Sequence, residues 1–343
     1  MNNPGSRPIS SLIRSSSALI LIGLLVQPPP AEATQRIRLG TLVPKGSSYY
    51  NEINKMGHEW AKATRGKISL TIYPDGRMGS EAQMVRRMRV GQLQAGFLSA
   101  VGLTEIEPAV SGLQNLPLMF DSLEEVDHIG TQLQPLLEKQ LEKKGFKALF
   151  WFNAGWVYFF TKSPISTPDD LRKLKIFSWA GSPEVVDIYK SAGFNPVPLE
   201  TKDILTGLQT RLITAVPMPP PYANAFQVDK KAPHMLDLNW APLVGAAVVI
   251  TKAWNRLDPE TKTEALKIAK ETESRIQKIG REEETKSIAA MKNRGLKVHE
   301  ISEETRAQWK QAVKEIYPQI RGKIVPADIF DRVSVWLEEY RQQ

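Results

Sequence analysis

The chain has 343 residues, 42% of them hydrophobic and 24% charged, with a formal net charge of +8 and no cysteine. That length exceeds one ordinary core and suits two domains, and the composition is that of a globular protein. The missing cysteines exclude disulfides, thiol chemistry and cysteine metal sites; the basic residues are mixed with Glu rather than interleaved with aromatics, which argues against a nucleic-acid surface.

Residues 1–33 read as an export signal rather than as part of the fold. Arg7 and Arg14 form a basic start, Ala18 to Val26 is an apolar run too short to span a bilayer, and Ala31-Glu32-Ala33 is a small-residue cleavage pattern. The expected mature chain begins at Thr34 in the periplasm and keeps a net charge of +7, because the leader carries only Arg7, Arg14 and Glu32. That charge reads as a solvated surface with some attraction to anionic membrane.

Ile37 to Val43 reads as a first strand, followed by a helix whose face holds Tyr50, Ile53, Met56, Gly57 and Trp60. Ile68 to Tyr73 is a second strand ending in the turn Pro74-Asp75-Gly76. Ser80 and Gln83 form a capping box for a helix with the stripe Met84, Val85 and Met88, which leaves Arg86, Arg87 and Arg89 toward water. Ala95 to Ala100 is a small-residue strand, Ser122 with Glu125 is a second capping box opening a helix to about Lys144, and Phe146 to Phe152 and Trp156 to Thr161 are two strands separated by Asn153-Ala154-Gly155. Asp258-Pro259-Glu260 starts a helix continuing to Asn293, roughly 55 Å at 1.5 Å per residue, unless Gly280 breaks it in two. Helices over Glu303–Tyr317 and about Ile329–Tyr340 close the chain.

The most informative stretch is Thr167 to Tyr222. Thr167, Pro168 and Asp170 start a short helical turn, and Lys175 to Trp179 is a strand. A helix follows over Ser182–Ala192, then an extended Asn195–Leu199, a helix capped by Thr201 running through Leu212, and a strand over Ile213–Met218. This is a parallel βαβαβ unit, which binds ligands just beyond the carboxyl ends of its strands. Phe177, Trp179, Met218 and Tyr222 stand at those ends and are candidate ligand-facing residues.

The succession TPDDL, LKI, a helix, NPVPL and LQT in this stretch, with LP and Phe120 earlier, resembles the dicarboxylate-binding (DctP-like) solute-binding proteins of TRAP, or tripartite ATP-independent periplasmic, transporters. The resemblance runs from about Ile37 to about Tyr317. It implies an α/β, two-lobed binding-protein fold with interleaved domains, mixed sheets flanked by helices, and a long helix spanning both lobes. Lobe I is expected over 34–153 plus 242–282 and lobe II over 154–241 plus 283–343, with crossings at Asn153–Gly155 and Trp240–Pro242. The cleft set it implies adds Tyr49, Leu98, Ser99, Asn153, Trp156, Val157, Tyr158 and Trp240 to the four residues above. The partners it implies are a small solute and membrane permease subunits, with the receptor a monomer.

One departure from the family pattern bears on the solute. The arginine that usually holds a substrate carboxylate corresponds to Phe177, a further arginine to about Val157, and an asparagine to about Met218; near Ser99, where the family usually has a polar or acidic residue, there is only a hydroxyl. An apolar or aromatic solute is therefore expected, unless Lys45, Arg77 or Lys162 supplies a displaced cation for a carboxylate. No nucleophile elbow, HExxH helix, Walker loop or GxGxxG is present, and His58, His128, His234 and His299 are far apart in sequence without metal spacing. The expectation is a receptor, not an enzyme, with no cofactor and no metal.

Overall fold

The alternating pattern at the start forms β1 (Gln35–Thr41), whose Ile37 and Leu39 enter the core. Ser47 caps α1 (Ser48–Ala63), which buries Tyr49 rather than Tyr50 beside Ile53, Met56 and Trp60. β2 (Ile68–Tyr73) and the capping box of Ser80 and Gln83 on α2 (Glu81–Arg89) form as the sequence predicts. β3 (Ala95–Ser99), the short α3 (Ala100–Thr104), α4 (Leu123–Lys143) and β4 (Phe146–Thr161) follow; Ser122 caps α4, but Glu125 accepts from the Asp121 N–H rather than the Ser122 N–H, so the second capping box is only half formed. The computed structural model describes residues 34–343 except Ser182, so the export signal over 1–33 and the helix start at Ser182 lie outside the described residues.

The βαβαβ unit is present. Thr167 and Asp170 make a reciprocal capping box on α5 (Pro168–Arg172), a device worth about 1 kcal/mol. Then come β5 (Lys175–Trp179), α6 (Pro183–Ser191) and β6 (Asn195–Leu199). The next helix is shorter than predicted: Thr201–Asp203 is a 3-10 turn, and α7 covers only Ile204–Gln209 before Arg211 turns the backbone left-handed at φ 59°. β7 (Ala215–Met218) and α8 (Pro220–Ala225) complete the unit. β8 (His234–Ile250), α9 (Thr251–Trp254), α10 (Pro259–Asn293), β9 (Lys297–His299), α11 (Glu303–Lys314), α12 (Tyr317–Lys323) and α13 (Ala327–Arg341) finish the chain.

The strands share one mixed sheet, not separate ones, in the order β2-β1-β3-β8-β4-β7-β5-β6, with β9 added beside β8. Its two arms are parallel: β2-β1-β3 on one side and β7-β5-β6 on the other. The long antiparallel pair β4 and β8 joins them. Residues 245–249 of β8 pair with β3, and residues 158–161 of β4 pair with β7.

Asn153–Gly155 does not end a strand. It is an irregularity within β4, with Gly155 at φ 85° and a register shift between Asn153 and Trp156. Across the ladder Asn153 faces Val244 and Trp156 faces Pro242, so the two segments expected as crossings lie side by side.

α10 is one helix of 35 residues, with Asp258 accepting from the Thr261 N–H at its start. Gly280 does not break it. A Cβ there would stand 2.5 Å from the Asn153 carbonyl oxygen, so the glycine lets the helix lie directly on the β4 irregularity. The first part of α10 is fixed to α1 by the Trp60 indole donating to Ala265 O and by Arg275 paired with Glu52 and Glu59. Its end is fixed beside α8 by Arg294, which holds Asp229 and Asn224. Among the described residues no helix is long and apolar enough to cross a membrane.

Candidate functional site

The carboxyl ends of β1, β3, β5 and β7 border two chambers that share Trp179. The larger encloses 1040 Å³, counted with its open mouth, and is walled by Phe177, Trp179, Val157, Phe159, Tyr189 and Trp240. The Phe177 and Trp179 rings meet edge to face at 5.1 Å, as do Phe159 and Trp240. Burial pushes the Tyr189 hydroxyl up to about 12, so it stays a neutral phenol. The smaller chamber measures 660 Å³, its open mouth again included, beneath Met218, Tyr222, Phe226, Phe97 and Leu243, with Ser99 and Glu81 as its polar corner.

Glu81 was not foreseen as a site residue. As the first residue of α2 it follows the capping serine, and from sequence it reads only as a favourable acid in a first helical turn. In the fold its carboxylate accepts from the Ser99 N–H at 2.8 Å, the Ser99 hydroxyl at 2.5 Å and the Gly102 N–H at 3.0 Å. An acid from α2 thus stands beside Ser99, where the sequence alone offered only a hydroxyl. Burial raises its pKa despite those three hydrogen bonds. Tyr189, Phe159, Phe97, Phe226 and Leu243 are further wall residues that only the fold brings together.

The predicted set divides by strand alternation. Val157, Phe177, Trp179 and Trp240 line the larger chamber; Ser99, Trp179, Met218 and Tyr222 line the smaller. Five predicted residues line neither. Leu98 is fully buried on the opposite side of β3 from its neighbours Phe97 and Ser99. Tyr49 lies under Tyr222, ring centroids 6.1 Å apart, and its buried hydroxyl has no partner among the described residues. Asn153 faces rearward, in a crevice with Gln277 and Gly280. Trp156 donates its N–H, and Tyr158 its hydroxyl at 2.8 Å, to Glu284 of α10.

No Lys or Arg occurs among the described residues that line the two chambers, and Glu81 is the one charged residue there. The three cations considered as substitutes stand elsewhere. Lys162 donates to the Leu208 and Lys231 carbonyls, Arg77 lies 4.0 Å from Asp75, and Lys45 is exposed beside Asp75, which accepts from its N–H. The histidines also depart from the expectation of scattered rings. Parallel pairing of β8 with β9 brings His234 Nδ1 within 2.7 Å of His299 Nε2, and burial lowers the pKa of His234.

The arrangement of two parallel arms, a shared antiparallel pair and a bracing helix is found in solved binding proteins. A TRAP periplasmic solute-binding protein from Xanthobacter autotrophicus Py2, solved with bound β-D-galacturonate, matches with a TM-score of 0.80 at 20% identity, covering 88% of this chain and 99% of that one. One from Fusobacterium, with bound sn-glycerol-3-phosphate, matches with a TM-score of 0.81 at 18% identity over 90% and 99%. By sequence, the chain is 28% identical to the 2,3-diketo-L-gulonate-binding periplasmic protein YiaO of Escherichia coli K12, over 82% of this chain and 86% of that protein. It is 24% identical to the C4-dicarboxylate-binding periplasmic protein DctP of Rhodobacter capsulatus, over 93% and 95%. Residues 39–323 match the model for the bacterial extracellular solute-binding proteins of family 7, and the chain belongs to this DctP family of TRAP-type periplasmic solute receptors.

Proposed function

We propose that this receptor takes a neutral, largely apolar or aromatic solute, and hands it to TRAP permease subunits without chemically altering it. The observation that carries the reading is the wall of the two chambers: mostly aromatic and aliphatic side chains with a few neutral polar ones such as Gln114 and Asn115, no cation among the described residues, and Phe177, only 1% exposed, at the position that the sequence resemblance pairs with the family's arginine. A carboxylate buried there without a counter-charge costs several kcal/mol, whereas apolar surface gains roughly 25 cal/mol per Å². The Glu81 corner would add repulsion for an anion and an acceptor for a hydroxyl or N–H of the solute. The receptor acts as a monomer, with lobes over 34–153 plus 242–282 and over 154–241 plus 283–343 that close about β4, β8 and α10. Solution scattering with and without solute measures that closure; an unchanged radius of gyration at saturation counts against it.

Mass spectrometry of solvent extracts from the purified protein identifies the solute class, and calorimetric titration tests it. Wild type binds the extracted apolar compound, and Phe177→Arg loses it while gaining weak affinity for a small carboxylate. Tight carboxylate binding by the wild type that Lys162→Ala or Arg77→Ala abolishes overturns the proposal. Turnover of the extracted compound would instead make the protein an enzyme.

A further inference from the structure

At the other edge of the β1-β3 arm from the chambers, the strands begin amid a concentration of arginines. Arg36 and Arg38 stand exposed on β1, and Arg86, Arg87 and Arg89 stand exposed on the last turns of α2. Residues 35–38 and 82–95, which build this edge, contain these five arginines and no Asp or Glu; the exposed Glu105, whose carbonyl accepts from Arg89, stands at its margin.

The contacts these guanidinium groups make are to neutral oxygens. Arg38 donates to the Gln94 side chain and to Gly91 O, Arg87 to the Gln92 side chain, and Arg89 to Glu105 O. Among the described residues none of the five is in an ion pair. Several arginines elsewhere are neutralised, Arg275 by Glu52 and Glu59, Arg294 by Asp229, Arg321 by Asp331 and Arg341 by Glu125, while the other exposed arginines without an ion pair among the described residues, Arg65, Arg211, Arg256 and Arg332, lie apart in sequence and form no run like that on α2. In the middle of the patch Val90, the residue after α2, is 71% exposed, the most exposed of the large apolar side chains. Unpaired guanidinium groups, those of Arg38, Arg87 and Arg89 held by hydrogen bonds, around a projecting aliphatic tip match a surface of phosphates over hydrocarbon. Each basic side chain near an anionic bilayer gains about 1 kcal/mol, roughly fivefold in partitioning.

We propose that this edge is a docking surface for anionic phospholipid, holding the receptor on the bilayer in which its permease lies. β3 runs from Ala95, next to the patch, to Ser99 in the smaller chamber, about 13 Å at 3.3 Å per residue. A molecule resting on the patch therefore keeps its chambers off the lipid and open to solute. This inference is independent of which solute the chambers hold.

The test is co-sedimentation of the protein recovered from the periplasm with large vesicles, at low and high salt. One set is equimolar phosphatidylethanolamine and phosphatidylglycerol, the other pure phosphatidylcholine. Wild type is expected to bind the anionic set, to leave it at high salt, and to ignore the neutral set. Changing Arg86, Arg87 and Arg89 together to Gln lowers the partitioning by roughly a hundredfold, with thermal melting confirming that the variant folds. A control that changes exposed Lys267, Lys314 and Lys323 to Gln removes the same charge elsewhere and should cost only a few-fold. Equal binding to both vesicle sets, insensitivity to salt, or equal losses in the two triple variants overturns the proposal. So does absence of vesicle binding, which would leave the patch to a protein partner.

Discussion

Residues 156 to 159 of β4 show how one strand serves two opposite purposes. Val157 and Phe159 face the larger chamber, while Trp156 and Tyr158, the alternate residues, tie the strand to Glu284 on α10. The front depends on apolar surface and shape. The rear depends on a half-buried carboxylate that accepts from one backbone N–H and one phenol, with Gly280 admitting the helix to within contact of the strand. Front and rear should therefore respond differently to mutation: the first in affinity, the second in stability.

The largest effect is expected at the front. Trp179 borders both chambers, so Trp179→Ala removes wall from each. Losing an aromatic wall of that size costs about 3 kcal/mol of binding, roughly a hundredfold in affinity for the extracted solute. Calorimetry should show that loss while the melting temperature of the solute-free protein changes little, because Trp179 is only half-buried. A large fall in melting temperature with unchanged affinity would erase the distinction between the faces.

Next is Gly280→Ala at the rear. Alanine favours the helix by about 1 kcal/mol over glycine. The new Cβ, however, would meet the Asn153 carbonyl at 2.5 Å, and that backbone atom cannot turn away. Forced separation of α10 from β4 should cost a net ~2 kcal/mol, read from denaturant unfolding. If the variant is instead stabilised, the close approach of α10 to β4 is not a tight one.

Legibility in the sequence followed the range of the interactions. The βαβαβ unit, the capping boxes at Ser80 and Thr167 and the apolar stripe of α2 rest on residues a few positions apart, and the sequence predicts them with small errors at the ends. The long α10 also emerged, although Gly280 looked like a break until the approach of Asn153 explained it. The strand irregularity at Asn153–Gly155 looked like a chain break because Gly and Asn mark turns as readily as bulges. The face each residue of 156–158 takes depends on ladder register, which a short run of aromatics does not encode. Glu81 beside Ser99 and His234 beside His299 are brought together by tertiary packing between residues 18 and 65 positions apart, so neither pair has a local signal.

Tyr158→Phe is a smaller lesion in the rear face. It deletes one of the two donors to Glu284 and leaves the half-buried carboxylate with the Trp156 N–H. Hydrogen bonds to charged groups are worth about 1.5 kcal/mol at the low end of their range, so a loss of that order in unfolding free energy is expected. Solute affinity should stay within about twofold, since Tyr158 borders neither chamber. A hundredfold affinity loss, matching Trp179→Ala, would return Tyr158 to the front.

The smallest expected effect is a pH dependence that belongs to the rear face alone. Burial is the main influence on Glu284, and it raises the carboxyl pKa above the ordinary value against the opposing hydrogen bonds from Trp156 and Tyr158. The folded state therefore holds this proton more tightly than the unfolded state, where a glutamate titrates near about 4.3. Its stabilising contribution is complete below that unfolded value and is lost as pH rises through the folded one. Glu284→Gln removes the titration and keeps the shape. The amide oxygen can still accept from the Trp156 N–H, and the amide N–H can donate to the Tyr158 hydroxyl, which accepts as readily as it donates. Glu81, whose pKa is raised by burial too, titrates in both proteins and cancels in their difference. Melting temperatures taken side by side from acid to neutral pH should thus show the wild type losing ground to Glu284→Gln as pH rises, then a constant gap once Glu284 is ionised. A gap that stays flat throughout would mean that Glu284 is solvated, and that the rear of β4 is not the closed polar seam that separates it from the front.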